Sequence, residues 1–302
     1  MLSTSPSAPV FNVVHGSFVD GWGIRTTILL KGCPLRCLWC CNPESQRREP
    51  ELQVIDEHCS GCGRCISRCP KGALSLQNGT IAVDRTHCDG CSACVRACWP
   101  GALQIWGKLR TADDVFAECL RDRSFYAQSG GGVTLSGGEP TQHPEFCLEM
   151  LRLCHEAGIP VAVDTCGQVT TEAGLAVLRQ ADLLLFDVKG LDPEVHRRNT
   201  GIDNRVIQKN LLSADKWGKD IIIRYPVIPH HNLREAEAIA ELISTLGHVR
   251  RIDLIFYHQY GTGKYTQLGR EYLLREDPVP EEEQSRILQL FSSRDLPVQV
   301  GG

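Results

Sequence analysis

Residues 183–190 read LLLFDVKG, an unbroken apolar run that ends in a charged motif. A strand covered by helices on both faces needs such a continuous run, whereas a strand with one face in water alternates apolar and polar residues. Residues 221–228, IIIRYPVI, repeat the pattern. The two segments therefore predict central strands of a parallel sheet.

Further apolar runs extend this prediction to six strands. The predicted strands are 26–30, 133–135, 160–163, 183–188, 221–225 and 252–256. Helix-like stretches lie between them: Thr111 and Asn232 begin apparent capping boxes, and three more helices are predicted at 144–157, 171–180 and 204–217. The alternation predicts an α/β fold in which polar motifs follow the carboxyl ends of the strands, where parallel α/β proteins place their chemistry.

Composition narrows the class of protein. Of the 302 residues, 42% are hydrophobic and 23% are charged, as in a globular protein, and the net charge of −4 disfavours a nucleic-acid-binding surface. No apolar run reaches the roughly 18 residues of a membrane span, and residues 1–14 lack the features of a secretory signal. We therefore expect a cytoplasmic monomer with neither a membrane nor a nucleic acid as partner.

A two-fold repeat of cysteines interrupts the alternation after the first predicted strand. Residues 59–74 read CSGCGRCISRCPKGAL and residues 88–103 read CDGCSACVRACWPGAL, with Trp99 before the proline of the second copy. The repeat lies in a block, 50–106, that reads as an inserted small domain. The expected division is 1–49 for the first β/α unit, 50–106 for the insert and 107–302 for the remaining β/α units.

Each repeat has the C-x2-C-x2-C-x3-C spacing of a bacterial ferredoxin, in which three cysteines bind one 4Fe–4S cube and the fourth reaches the other cube. Structural zinc is the alternative, but a zinc ribbon brings two distant CxxC pairs together rather than placing four cysteines within eleven residues. One predicted cluster is bound by Cys59, Cys62, Cys65 and Cys98, and the other by Cys69, Cys88, Cys91 and Cys94.

A third group, Cys33-Pro-Leu-Arg-Cys37-Leu-Trp-Cys40, has only three cysteines. Three thiolates leave one iron of a cube without a protein ligand, and an open metal position is typical of a catalytic site. Alternatively, Cys41 or a distant cysteine fills that position and the site is a relay or a zinc site. Cys41 is adjacent to Cys40, which disfavours both side chains reaching one cluster.

The triplet, with Trp39 before its last cysteine, resembles the radical S-adenosylmethionine (SAM) superfamily. More narrowly, DGWGIRTTILLKGCPLRCLWCCNPES at 20–45 resembles the activating enzymes of glycyl radical enzymes, the pyruvate formate-lyase activase family. The cysteine-rich block resembles the subgroup with a ferredoxin insert, and the likeness runs from 11 to 275. It implies a partial (β/α)6 TIM-type barrel with an inserted ferredoxin-like domain that holds two 4Fe–4S clusters.

The same resemblance implies a SAM site with a catalytic cluster on Cys33, Cys37 and Cys40, and a monovalent cation near the SAM carboxylate. From the residues alone, Gly-Gly-Glu-Pro reads as an ordinary turn, Asp-x-Lys as a solvated ion pair and a lone histidine as structural. The expected SAM or cation contacts are Trp39, Cys40, Cys41, Gly137, Gly138, Glu139, Asp164, Asp187, Val188, Lys189, Arg224 and His258.

Two positions depart from the family pattern. Trp22 stands where the family has proline in DGPGIRT, and Cys41 stands where serine or alanine is usual. Trp22 is expected to reshape the loop beneath the triplet. Cys41 adds an oxidisable thiol near the catalytic cluster.

The function implied is reductive cleavage of SAM to methionine and a 5′-deoxyadenosyl radical, which abstracts hydrogen from a backbone glycine of a partner glycyl radical enzyme. The expected electron donor is a flavodoxin or a ferredoxin-like protein. One alternative is a radical SAM enzyme that acts on a small molecule or another peptide. The other is a non-catalytic electron carrier, which has no need for polar side chains at five strand ends.

Overall fold

The computed structural model describes residues 5–294 and 297–301. The strands are β1 Ser7–Ser17, β2 Arg25–Leu30, β3 Glu51–Val54, β4 Leu74–Gln77, β5 Thr80–Val83, β6 Leu103–Trp106, β7 Lys108–Thr111, β8 Gly132–Gly137, β9 Val161–Thr165, β10 Leu183–Asp187, β11 Asp220–Val227, β12 Val249–Phe256 and β13 Val298–Val300. The helices are α1 Arg64–Ser67, α2 Ala93–Arg96, α3 Ala112–Cys119, α4 Arg123–Ser129, α5 Pro144–Glu156, α6 Glu172–Gln180, α7 Pro193–Thr200, α8 Arg205–Lys216, α9 Ala236–Ser244, α10 Thr262–Gln267 and α11 Glu281–Ser292.

The main sheet of the described residues has the order β13-β12-β11-β10-β9-β8-β2-β1-β7. All six predicted strands are present in it, as β2 and β8 to β12, and they pair in parallel. The structure adds β13 as a further parallel strand, and β1 and β7 as an antiparallel extension beyond β2. The parallel sheet thus remains open at its edges, as a partial barrel does.

Helices cover the outer face of the parallel strands and complete the core. In α5, Phe146, Met150 and Cys154 are fully or almost fully buried, as are Ile239 and Ile243 in α9. Their spacing of three or four residues places them on one helix face, so each helix buries an apolar stripe against the sheet. The strands are therefore held with their carboxyl ends at one rim.

One of the two predicted capping residues forms its side-chain cap. The Thr111 hydroxyl accepts a hydrogen bond from the Asp114 amide at 3.2 Å and caps α3. The side-chain cap predicted at Asn232 is not formed, because its side-chain oxygen accepts from the Ile228 amide at 2.7 Å. Helical structure still begins where it was predicted, since a 3-10 turn at Leu233–Glu235 follows Asn232 and continues into α9.

The cysteine-rich insert forms its own small unit between β2 and β7. Strands β3 and β6 pair antiparallel, as do β4 and β5, and a separate apolar core includes Leu52, Leu74, Ile81 and Leu103. The short helices α1 and α2 contact each other. Residues 1–4, 295–296 and 302, which fall in the expected outer domains, lie outside the described residues.

A buried ion-pair network joins the insert to the barrel. Lys31, which follows β2 and is fully buried, donates to the Glu51 carboxylate at 3.0 Å. Arg270, from the segment after α10, also contacts Glu51. The first residue of β3 is therefore held by charged groups from two separate parts of the barrel.

None of the helices in the described residues is both long and apolar enough to cross a membrane.

Candidate active site

A cavity of about 370 Å³ opens at the carboxyl ends of the parallel strands. Its volume lies in the range of small-molecule and cofactor sites. The predicted site residues that line it are Cys33, Cys37, Trp39, Cys40, Cys41, Gly137, Gly138, Asp164, Asp187, Lys189, Arg224 and His258. Residues from six different strand ends thus meet in one place.

Backbone hydrogen bonds fix the loop that carries the cysteine triplet. The amide of Arg36 donates to Thr200 O at 2.7 Å and the amide of Leu38 donates to Asn199 O at 2.9 Å, so the loop is tied to the end of α7. On its other side, the Gly32 amide donates to Ser45 O at 2.7 Å. The loop holds its three cysteines half-buried at the cavity wall.

Burial strongly affects these thiols. It raises the pKa of Cys40 to about 12 and the pKa of Cys37 above its usual range. Cys33 differs, because a hydrogen bond with the Cys166 thiol lowers its pKa. Iron binds the thiolate, so cluster binding at Cys37 and Cys40 is coupled to proton release.

Charged side chains form the wall next to the triplet. Lys189 pairs with Asp187, and Arg224 Nη1 donates to Asp164 Oδ2 at 2.9 Å. Burial lowers the pKa of Lys189, but the Asp187 carboxylate and the Cys37 and Cys166 thiols together outweigh burial, so the pKa is raised. The pKa of Asp164 is raised to about 6, chiefly by burial; Arg224 opposes the shift and Asp187 adds to it.

One polar atom in this wall is buried without a partner, the Nε of Arg224. A buried donor left unpaired costs free energy, so a ligand with an acceptor group is expected there. The methionine half of SAM carries a carboxylate, which Lys189 and Arg224 suit, and an ammonium group, which Asp164 and Asp187 suit. The residues present therefore fit SAM, with the thiols adjacent for a cluster.

Gly137 and Gly138 line the cavity, but backbone packing is what requires glycine there. A Cβ on Gly137, whose φ is +106°, would lie 2.4 Å from the Leu30 nitrogen, and one on Gly138 would lie 2.5 Å from the Gly32 oxygen. The glycines therefore let β8 approach the end of β2 closely. The same approach brings the Gly-Gly-Glu turn against the triplet loop.

Two of the predicted contacts are placed differently from the expectation. Glu139 is fully buried outside the cavity wall, and its carboxylate accepts from the Thr141 hydroxyl at 2.7 Å and the Cys166 amide at 2.8 Å. Val188 is buried too, with its amide donating to Arg224 O at 2.9 Å. In this structure both residues position their neighbours, and neither lines the cavity.

At the mouth of the cavity, aromatic rings lie on two sides. His258 stacks on Tyr260, with ring centroids 4.5 Å apart, and Trp39 meets His231 edge-on at 6.2 Å. Cys41 lines the same cavity and is exposed. Flat faces and soft sulfur atoms here suit the adenine end of SAM.

Sequence reasoning missed Asp20, Ser136 and Cys166, which also line the cavity. Ser136 donates to Asp164 at 2.7 Å, and Asp20 accepts from Thr27 at 2.7 Å. Cys166 lies outside every cysteine motif, so its spacing carried no signal. Its position two residues after Asp164, at the end of β9, was the available clue.

The eight cysteines of the insert line two further cavities. One is lined by Cys59, Cys62, Cys65 and Cys98, and the other by Cys69, Cys88, Cys91 and Cys94. Each cavity thus combines three cysteines of one repeat with the last cysteine of the other repeat, as the ferredoxin pattern requires.

A single metal ion needs its ligands closer together than a 4Fe–4S cube does. Within the described ranges, no three His, Cys, Asp or Glu side chains are grouped to hold a single metal ion. A 4Fe–4S cube needs a wider arrangement, because its thiolates bind different corner irons.

Comparison with known proteins identifies two family models that match this chain. The model of the radical SAM superfamily matches residues 86–243, and that of the 4Fe-4S dicluster domain matches residues 51–99. Neither range includes the cysteine triplet. SAM and iron–sulfur clusters are therefore the cofactors of this chain.

Two solved structures share the fold. They are Streptococcus suis SuiB bound to precursor peptide SuiA (TM-score 0.56, 13% identity, 89% of this chain and 46% of that chain) and a radical SAM methyltransferase from Sphaerobacter thermophilus (TM-score 0.51, 15% identity, 98% and 77%). At these identities they support the partial TIM-type barrel alone.

Curated relatives match over nearly the full length. The (2S)-3-sulfopropanediol sulfolyase activating enzyme of Bilophila wadsworthia (strain 3_1_6) is 43% identical, covering 91% of this chain and 93% of the relative. The trans-4-hydroxy-L-proline dehydratase activating enzyme of Clostridioides difficile is 39% identical, covering 97% and 99%. The chain therefore belongs to the radical SAM activating enzymes of glycyl radical enzymes.

Proposed function

We infer that Cys33, Cys37 and Cys40 bind the catalytic 4Fe–4S cluster of this activating enzyme. The observation that carries this assignment is the shared cavity, which places the three thiols beside Lys189 and Arg224. When bound, the reduced cluster supplies the electron that cleaves SAM to methionine and a 5′-deoxyadenosyl radical. The radical takes hydrogen from a glycine of the partner enzyme.

The chain's own residues bind and orient SAM. Lys189 and the free Nε of Arg224 hold the methionine carboxylate, and Asp164 and Asp187 face its ammonium group or a monovalent cation. Trp39, Cys41 and His258 enclose the adenosine end, which keeps water from the radical. Glu139 and Val188 hold the backbone from which these groups project.

The inserted unit is assigned a different task. Its two cysteine-lined cavities would hold two further clusters, which brings the total to three, and residues 50–106 would act as an electron-conducting domain between 1–49 and 107–302. The cavity with Cys88 is also lined by Leu52 and Ile105, and the other cavity by Leu103, all from the strands β3 and β6 at the base of the insert.

The partner is a glycyl radical enzyme, whose own substrate the relatives leave open because their names cite different partners. A flavodoxin or ferredoxin-like donor, a monomeric state and a cytoplasmic location remain predictions from the sequence. Activation is favoured over the small-molecule and electron-carrier alternatives, because the full-length relatives are activating enzymes.

The test is anaerobic reconstitution of a variant with alanine at Cys33, Cys37 and Cys40. It should bind about four fewer irons than the wild type and lose all SAM cleavage. A matched control carries alanine at Cys119, Cys147 and Cys154, which are buried in the barrel core. Wild-type cleavage by the first variant would refute the assignment of the catalytic site.

Activation itself is tested by electron paramagnetic resonance. The wild-type holoenzyme is incubated with SAM, a strong reductant and purified glycyl radical enzymes of the sulfolyase, sulfite-lyase and dehydratase types. A glycyl radical signal should appear in one partner and require SAM. SAM cleavage without a radical in any of them would favour a small-molecule substrate.

A further inference from the structure

The groove between α1 and α2 on the inserted unit is strongly basic. It is lined by Arg64 and Arg68 from the first repeat and by Arg96 and Trp99 from the second, and its lining includes no carboxylate as the structure describes it. All three arginines are exposed. The whole chain has a net charge of −4, so the groove is a patch of positive charge on a negatively charged protein.

Trp99 makes the groove more than a solvated charged surface. It is 86% exposed, although a tryptophan side chain in a folded protein is normally largely buried. Arginine and tryptophan are the residues that most often anchor protein interfaces. No step assigned to the SAM cavity uses this side chain, so that chemistry does not account for its exposure.

The groove lies directly beside both cluster sites. Arg64 precedes Cys65, Arg68 precedes Cys69 and Trp99 follows Cys98 in the chain. Ala97 lines the groove and also lines the cavity of Cys59, Cys62, Cys65 and Cys98. A protein seated in the groove is therefore separated from the clusters by little more than the ligand loops.

The glycine of the partner enzyme does not bind in this groove, because the SAM cavity lies elsewhere. That glycine must reach the SAM cavity, whose lining comes from the barrel and includes no residue of 50–106 in the described structure. An electron donor has the opposite need, because it must approach the clusters of the insert.

We propose that this groove docks an electron-donor protein with an acidic surface around its flavin or iron–sulfur centre. The proposal rests on the assigned role of the insert as a conductor of electrons. One electron leaves the donor's reduced centre and is accepted by an oxidised cluster, and no bond is made or broken. Complementary charge speeds the encounter, and Trp99 packs against the donor once it is seated.

The test compares two triple variants of the holoenzyme. Arg64→Gln, Arg68→Gln and Arg96→Gln neutralise the groove, whereas Arg205→Gln, Lys209→Gln and Lys216→Gln remove three exposed charges from α8 as a matched control. Binding of an oxidised acidic flavodoxin is measured by calorimetry at low and high ionic strength. Cluster reduction is followed by absorbance, with reduced flavodoxin or reduced methyl viologen as donor.

The groove variant should bind flavodoxin about tenfold more weakly at low ionic strength, lose most of the salt dependence and be reduced correspondingly slowly by it. Methyl viologen, a small cation, should reduce both variants and the wild type alike. Trp99→Ala should weaken binding at both ionic strengths, because its contribution is packing rather than charge.

Unchanged flavodoxin binding by the groove variant would overturn the proposal. So would normal flavodoxin binding combined with lost partner activation under methyl viologen, since the groove would then dock the glycyl radical enzyme. SAM cleavage driven by methyl viologen reports on the catalytic site independently. Loss of flavodoxin binding with normal SAM cleavage concerns the groove, whereas loss of SAM cleavage concerns the proposed function, so the two results are distinguishable.

Discussion

Lys189 is the residue on which SAM affinity is expected to depend most directly. Its ammonium group lies in the cavity wall, and its contact with Asp187 keeps it oriented there. Cysteine spacing predicted which thiols line the three cysteine-containing cavities, and the strand-end motifs contributed to a prediction that covers half of the residues lining the SAM cavity. The orientation of Glu139 away from the cavity was not predictable, because a sequence does not show which donors a carboxylate will find.

Lys189→Ala should weaken SAM binding about ten- to a hundredfold without loss of iron, since one charge-assisted contact is worth roughly 1.5–3 kcal/mol. The dissociation constant is measured by equilibrium dialysis on the reconstituted protein, with iron counted in parallel. Lys209→Ala, an exposed lysine on α8, is the control. An unchanged constant would make Lys189 a structural partner of Asp187.

Gly137 provides a second prediction at this scale. Gly137→Ala places a methyl group against the Leu30 backbone, so it should cost about 1–3 kcal/mol of stability and weaken SAM binding as the turn shifts. The thermal midpoint and the SAM dissociation constant are both measured. Gly263→Ala, in α10, has open space around it and should neither lower the midpoint nor weaken SAM binding. Equal behaviour of the two variants would contradict the packing argument.

Among the elements, the buried central strands were the most predictable. A continuous apolar run without alternation is typical of a strand covered on both faces. β1 was missed, since its burial changes from buried to partly exposed along Ser7–Ser17 and no clear period results. β13 is three residues long, too short for any pattern to register. The Asn232 error arose because the same residue types cap helices and stabilise tight loops.

The contact between β1 and the segment after α3 predicts a dependence of stability on pH. His15 Nδ1 lies 2.5 Å from Asp122 Oδ2, and this hydrogen bond raises the pKa of His15 above 6.5. A raised histidine pKa stabilises the fold below pH 6.5, and the contribution is lost as the pH rises through the folded-state value.

His15→Ala should therefore lower the thermal midpoint more at pH 6 than at pH 8.5. The difference will be small because the side chain is partly exposed. Val14→Ala, at the exposed neighbouring residue of β1, removes no titratable group and should change the midpoint equally at both pH values. A His15→Ala effect independent of pH would show that the contact contributes by packing alone.

At the scale of the whole molecule, the exchange of cysteines between repeats has a measurable result. The wild type should hold about twelve irons in three cubes. Alanine at Cys59, Cys62, Cys65 and Cys98 should remove one cube and leave roughly eight irons. Alanine at Cys59, Cys62, Cys65 and Cys69 should leave fewer, because it removes three ligands of one cluster and one ligand of the other.

Iron and sulfide analysis after anaerobic reconstitution distinguishes the two quadruple variants. The same protein samples serve as mutual controls, since they differ only in whether Cys69 or Cys98 is replaced. If the variant lacking Cys69 kept more iron than the variant lacking Cys98, each repeat would bind its own cube. The cavities lined by cysteines of both repeats argue for the exchanged arrangement.

The ion pairs of Lys31 and Arg270 with Glu51 bear on how freely the insert can be transplanted. Removing one partner of a buried charge pair typically costs about 3–5 kcal/mol, because the other charge is left uncompensated. A graft of residues 50–106 from a relative will therefore be tolerated only where the donor supplies a carboxylate at position 51, or where residues 31 and 270 are exchanged with it. The insert is therefore joined to the barrel through a cluster of charged side chains, and this cluster limits which inserts the barrel can accept.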